Sequence, residues 1–163
     1  MEGWNDFFML AGLTAGILIG LIFVVITLGS EHLIEGNEAR TRLFINPILV
    51  MFAAVFLVAL ATVAPFPALI RAIGLGIIGC GGLGYTMNLA LTSRRRTDTE
   101  NLKLLWNVLF PIAAFALLAT AAAAWALQAS FANAICAASV VLLLVTALHN
   151  SWVDTLVIAT RGN

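Results

Sequence analysis

Two short polar segments contain the residues whose types and spacing could bind a metal ion. In the first, Glu31, Glu35 and Glu38 would share one face of a helix, because residues three and four apart lie side by side. His32 stands next to this acidic face. Carboxylate and imidazole groups on adjacent turns can bind a divalent cation. The alternative is a solvated helix end whose acidic groups pair with the arginines that follow.

The second polar segment contains His149, Asn150 and Asp154, near the C-terminus. If the fold brings it to the same side as His32, the two histidines and the carboxylates could form one site. That site would hold a divalent metal, or haem if the two imidazoles face each other. Two alternatives involve no ligand: a helix end in water anchored by Trp152, or a buried polar network with neighbouring helices.

Four asparagines are predicted to form a polar layer. Each belongs to a different apolar segment and lies within about two helical turns of the same side. They are Asn46, Asn88, Asn107 and Asn150. Amides on different helices can bond to one another in lipid. We therefore expect either hydrogen bonds between helices or a polar vestibule that opens to one side.

The apolar segments lack the features of an enzyme or of an ion-coupled transporter. No Asp, Glu or Lys lies at the centre of a segment, and such charges commonly mark ion and proton paths. Residues 74–79 match the GxGxxG pattern, but that motif needs a preceding strand. We expect Arg71 to extend toward lipid headgroups, with anion coordination as the alternative. Cys80 and Cys136 lack CxxC spacing and are interpreted as small buried apolar residues.

Composition decides the class of protein. Of the 163 residues, 62% are hydrophobic and 10% are charged, against about a quarter charged in soluble domains. A bilayer accommodates this much apolar surface, whereas a soluble chain of this length could not bury it. The formal net charge is zero, so no overall field favours nucleic acid. We predict a single transmembrane domain over residues 1–163, with loops too short to contain an enzyme domain and no catalytic residue.

Uncharged stretches of about 20 residues predict an all-α bundle of five transmembrane helices. Pro65 and Pro67 separate the second helix from the third. The last uncharged stretch is too long for one crossing, and Gln128-Ala129-Ser130 is its best break. Pro47 is expected in the first turn of its helix, where the missing N–H costs nothing. The predicted helices cover about 7–28, 47–64, 68–92, 104–127 and 131–152.

Basic residues predict the orientation of these helices. Seven of the eight Lys and Arg residues fall on the side that contains the C-terminus, and only Arg71 falls on the other. Cytoplasmic loops carry an excess of basic residues. The four tryptophans fall at the two membrane boundaries, as in an aromatic belt. We therefore predict a multi-pass protein of the plasma membrane, which in a bacterium is the inner membrane. Its N-terminus is expected outside and its C-terminus in the cytoplasm.

Small residues in the first and third helices are spaced for close helix packing. In lipid, small side chains let two helix backbones approach each other. The residues expected in such contacts are Gly12, Gly16, Gly20, Gly74, Gly79 and Gly82. The contacts could form within one chain or between copies of it.

These patterns favour a non-enzymatic membrane protein that acts by helix-mediated assembly, as a homo-oligomer or as a subunit of a membrane complex. One alternative is an oligomeric channel or a small-solute permeation subunit. Another is a metal-binding or haem-binding protein that uses His32 and His149; apart from this alternative, the sequence implies no cofactor. The expected partners are the lipid bilayer and either a second copy or another membrane protein, and not nucleic acid.

Overall fold

The structure of the chain is a computed structural model, which describes residues 2–33, 38–94 and 105–161. Within these ranges, side chains are described for residues 3–24, 27, 47–91, 106 and 108–153. The elements of the described ranges are all helical. They are α1 (Glu2–Leu33), α2 (Glu38–Val63), α3 (Ala68–Arg94), α4 (Phe110–Ala126) and α5 (Ala132–Arg161), with a π-helical turn at Leu105–Leu109 that leads into α4.

The prediction of an all-helical chain with five helices is confirmed for the described ranges. Three segments are long and apolar enough to cross a membrane: Gly3–Val24, Ala68–Leu91 and Ala132–Val153. Two further apolar helical segments are shorter, Pro47–Val63 and Phe110–Ala126. Five crossings and the orientation of the termini remain predictions.

The helices extend beyond the predicted spans. α1 begins at Glu2 and α5 continues to Arg161, because a helix can carry charged residues past the uncharged stretch that marks its span. The prediction for Pro47 was wrong for the same reason. α2 begins at Glu38, so Pro47 lies inside the helix and not in its first turn.

Two turns lie at one end of the bundle, and both were predicted. In the first, Pro65 and Pro67 cannot donate backbone hydrogen bonds, and α2 ends before them at Val63. In the second, the Gln128 N–H donates to the carbonyl of Trp125, and the next N–H donates to the carbonyl of Ala124. This is the Schellman arrangement, and Gln128 accordingly has a left-handed φ of 54°. We call the end that contains these two turns the proline end.

The helices α2, α3, α4 and α5 form a ring in which each contacts the next, and α1 packs outside the ring on α2. Consecutive helices run in opposite directions. The interior is filled by apolar side chains, among them Phe52, Leu75, Phe115 and Leu143. Phe8 of α1 joins this core, since α1 also touches α5. We call the end of the bundle opposite to the proline end, where α4 begins, the histidine end.

Candidate functional site

At the histidine end, the ring of His149 stacks on the ring of Trp106. The two ring centroids lie 3.7 Å apart and the planes differ by 12°. The Nδ1 atom of His149 is buried and has no hydrogen-bond partner in the part of the chain that the structure describes. The imidazole is therefore held by an aromatic neighbour from another helix, and one of its polar atoms is left without a bond.

Asn150 joins α5 to the start of α4. Its amide Nδ2 donates to the backbone carbonyl of Trp106 over 3.5 Å, a weak bond longer than the usual N–H···O range. In a π-helical turn, each carbonyl pairs with the N–H five residues later, which for Trp106 belongs to Pro111. Proline has no N–H, so Asn150 supplies the donor that the local sequence cannot. Asn150 is buried and acts here as a bond between helices.

The predicted metal site is represented by one described side chain, that of His149. The side chains of Glu31, His32, Glu35, Glu38 and Asp154 lie outside the described set. Among the side chains that are described, no group of three His, Cys, Asp or Glu residues could hold a metal ion. A joint site for a metal or haem therefore stays a prediction.

The predicted asparagine layer is also described only in part. Asn88 lies on the exposed side of α3, whereas Asn150 is buried between α5 and the start of α4. The side chains of Asn46 and Asn107 fall outside the described set. A vestibule lined by all four amides remains a prediction.

At the proline end, Arg71 of α3 reaches both the turn before it and the end of α4. Its Nη2 donates to the carbonyls of Ala64 and Phe66, each over 3.3 Å. The guanidinium carbon lies 4.6 Å from the centre of the Trp125 ring, a cation–π contact. Arg71 Nε and Trp125 Nε1 are buried and have no hydrogen-bond partner among the described residues. The sequence singled out Arg71 but not its contact with Trp125.

The glycines of α3 lie on two different faces. A Cβ atom at Gly79 would lie 2.8 Å from the backbone nitrogen of Ala119, and one at Gly82 would collide with the ring of Phe115. Both glycines therefore allow α4 to approach α3 closely. At Gly74, Gly81 and Gly84, a Cβ would meet no described atom within 4 Å. Of these three, Gly81 and Gly84 are exposed.

The glycines of α1 have different surroundings along the helix. A Cβ at Gly12 would lie 2.6 Å from the Cβ of Ala59, and one at Gly16 would make ordinary contact with the ring of Phe56. At Gly20, a Cβ would meet nothing within 4 Å in the described part of the chain. An apolar groove of about 420 Å³ runs along the outer side of the contact between α1 and α2, with Gly12 and Gly16 in its lining.

Sequence reasoning also missed a buried hydrogen bond between α5 and α4. Ser139 of α5 donates from Oγ to the carbonyl of Ala114 of α4 over 2.8 Å, and both residues are fully buried. A single serine in an apolar segment gives no sign of its partner. Of the two cysteines, both free, Cys136 is buried as expected, but Cys80 is exposed on α3.

Comparison with known proteins gives no family assignment. No protein-family model matches the chain, and no curated protein or solved structure matches it significantly.

Proposed function

We propose that this chain is a multi-pass membrane protein that acts by assembling with copies of itself through the outer face of α3. That face is defined by Gly74, Gly81, Gly84 and Asn88. The protein would be a non-enzymatic component of a membrane, with five crossings, its N-terminus outside and its C-terminus in the cytoplasm.

Membrane embedding is supported by the apolar side chains on the outside of the bundle. Large apolar side chains are exposed along the described helices, for example Ile17 on α1 at 67% and Ile77 on α3 at 69%. A soluble protein rarely exposes apolar surface this extensive. A bilayer would cover it without cost.

The observation that carries the assembly proposal is the pair of exposed glycines at the centre of α3. A glycine inside a helix costs about 1 kcal/mol relative to alanine. Gly79 and Gly82 offset this cost because they admit α4. Gly81 and Gly84 have no such contact within the described part of the chain. A second helix packed against them would give these glycines the same function that the inner pair has.

The spacing on this face fits one kind of helix pair. Gly81 follows Gly74 by seven residues, and Asn88 follows Gly81 by seven. Gly84 follows Gly81 by three. A seven-residue repeat keeps one face toward a partner in a left-handed pair with a crossing angle near +20°. Small residues at these positions allow close backbone approach in lipid.

The test is an energy-transfer measurement in lipid vesicles, with donor-labelled and acceptor-labelled copies reconstituted over a range of protein-to-lipid ratios. We expect transfer from the wild-type chain above the level for random proximity, and a loss of it in Gly81→Leu. Gly20→Leu is the matched control, because it places the same side chain at an open glycine of α1. Loss in Gly20→Leu alone would move the interface to α1, and random-level transfer from the wild type would overturn self-assembly.

A further inference from the structure

We propose that Arg71 and Trp125 form a binding site for a phosphate group, supplied by a lipid headgroup, at the proline end of the bundle. The inference rests on the membrane embedding proposed above, but not on assembly through α3. It concerns a different end of the molecule and a different set of contacts.

The guanidinium of Arg71 is placed by its neighbours but is not fully engaged by them. Its two backbone contacts, to Ala64 and Phe66, are each 3.3 Å long, beyond the usual range for an N–H···O bond. The guanidinium carbon lies over the ring of Trp125, 4.6 Å from its centre. A group that accepts hydrogen bonds more strongly could therefore replace the two carbonyls without any change in the helices.

Two donors at this end of the bundle lack acceptors. Arg71 Nε and Trp125 Nε1 each carry one N–H and can only donate. Both atoms are buried, and neither has a partner in the described part of the chain. A buried donor without an acceptor is costly, so two of them in contacting side chains indicate that an oxygen-rich group completes the site. Because both atoms are buried, a ligand can reach them only if these side chains shift.

The charge at this position is also uncompensated. No carboxylate among the described side chains lies within salt-bridge distance of Arg71, whose first neighbours are carbonyls and an aromatic ring. Arg71 stands in the first turn of α3, where the backbone N–H groups carry a partial positive charge. The guanidinium and the start of α3 therefore favour an anion, while the carbonyl of Ala64 at the end of α2 opposes it.

Phosphate is the anion that best fits this arrangement. The planar guanidinium presents paired N–H groups that match two phosphate oxygens, and a third oxygen could accept from the indole of Trp125. Arg71 lies near the end of a bundle whose sides are apolar, at the depth where lipid headgroups would be found. The site would thus bind the phosphodiester of a lipid and fix the depth of α3 in the membrane.

Native mass spectrometry of the full chain in detergent tests the site. The probes are phosphatidylglycerol, diacylglycerol, which lacks the phosphate, and inorganic phosphate. We expect retained phosphatidylglycerol and no retained diacylglycerol. Arg71→Gln should weaken phosphatidylglycerol binding at least tenfold. Trp125→Phe, which keeps an aromatic ring but removes its N–H, should weaken it severalfold, and Arg71→Lys should fall between wild type and Arg71→Gln.

Two controls separate lipid binding from effects on folding and on assembly. Helix content and thermal unfolding are recorded for each variant, and Trp125→Phe carries the test if Arg71→Gln fails to fold. Gly81→Leu should bind phosphatidylglycerol like wild type, which separates this site from assembly. Equal binding of the two lipids, binding unchanged in Trp125→Phe and Arg71→Gln, or binding of inorganic phosphate without the lipid would overturn the proposal.

Discussion

The two faces of α3 use the same residue type in different surroundings. On the inner face, Gly79 and Gly82 touch α4, and an added Cβ would collide with the backbone of Ala119 or the ring of Phe115. On the outer face, Gly81 and Gly84 have open space around them within the described part of the chain. The inner pair is explained by the fold of one chain. The outer pair has no such contact in the described part of the chain, and the proposed contact with a second copy would supply one.

This difference shows what a glycine count cannot reveal. Glycines in a membrane helix allow close packing, and the partner is either a helix of the same chain or a helix of another. The space around each Cβ separates these two uses.

Gly82→Ala should lower the stability of the monomer most. Phe115 is fully buried and cannot move away from the new methyl group, and overpacking of this kind costs about 1–3 kcal/mol. Unfolding in mixed micelles by increasing detergent fraction would measure the change. Gly81→Ala, its neighbour on the other face, is the control and should not reduce the free energy of unfolding. Equal losses from the two variants would contradict the distinction between the faces.

A smaller side chain at Phe115 should partly rescue Gly82→Ala. Phe115→Leu alone leaves a cavity and is destabilising. Combined with Gly82→Ala, it removes the collision, so the two losses should not add. We expect a coupling free energy of about 0.5–3 kcal/mol, in the range for residues in contact. Strict additivity in the same unfolding assay would show that Phe115 is not what limits the size of residue 82.

Gly84→Ala should act in opposite directions on folding and on association. Alanine is the better helix former by about 1 kcal/mol, and its methyl group meets no described atom of the same chain within 4 Å. The unfolding free energy of the monomer should therefore stay the same or rise. Energy transfer between copies should fall, because the methyl group separates the two helices. A stable monomer with unchanged association would remove Gly84 from the interface.

The smallest change is expected for Ser139→Ala, which removes the hydrogen bond between α5 and α4. Such bonds average about 0.6 kcal/mol in membrane proteins. The same unfolding assay measures the loss, and Thr120→Val is the comparison because Thr120 donates to Leu117 within its own helix. Association should be unchanged in both variants. A loss of association in Ser139→Ala would show that interior contacts also control assembly.

The sequence was sufficient for the helices and their breaks, since these depend on local signals. Pro65 and Pro67 cannot continue the ladder of backbone hydrogen bonds. Gln128 lies near the middle of an uncharged stretch that is too long for one crossing, so a break was expected there. It was not sufficient for the two faces of α3. Six glycines are spread around that helix, and their environments depend on where α4 packs, which is a non-local property.

The candidate sites show the same limit. The contacts of Arg71 with Trp125, and of Asn150 with the carbonyl of Trp106, join residues more than forty positions apart. No spacing rule connects such pairs. Pro111 removes an N–H, but the π-helical turn that makes this N–H the expected partner of the Trp106 carbonyl could not be read from the sequence. The acidic segment with His32 lies outside the described side chains and stays a prediction.

Disulfide cross-linking in native membranes tests the outer face of α3 most directly. Two single-cysteine variants are compared in a Cys80→Ala, Cys136→Ala background. Ile77→Cys lies on the outer face of α3, and Ile17→Cys lies on α1; the two isoleucines are 69% and 67% exposed. We predict that mild oxidation gives a dimer with Ile77→Cys and little with Ile17→Cys. A dimer with Ile17→Cys alone, or none with either, would contradict the account.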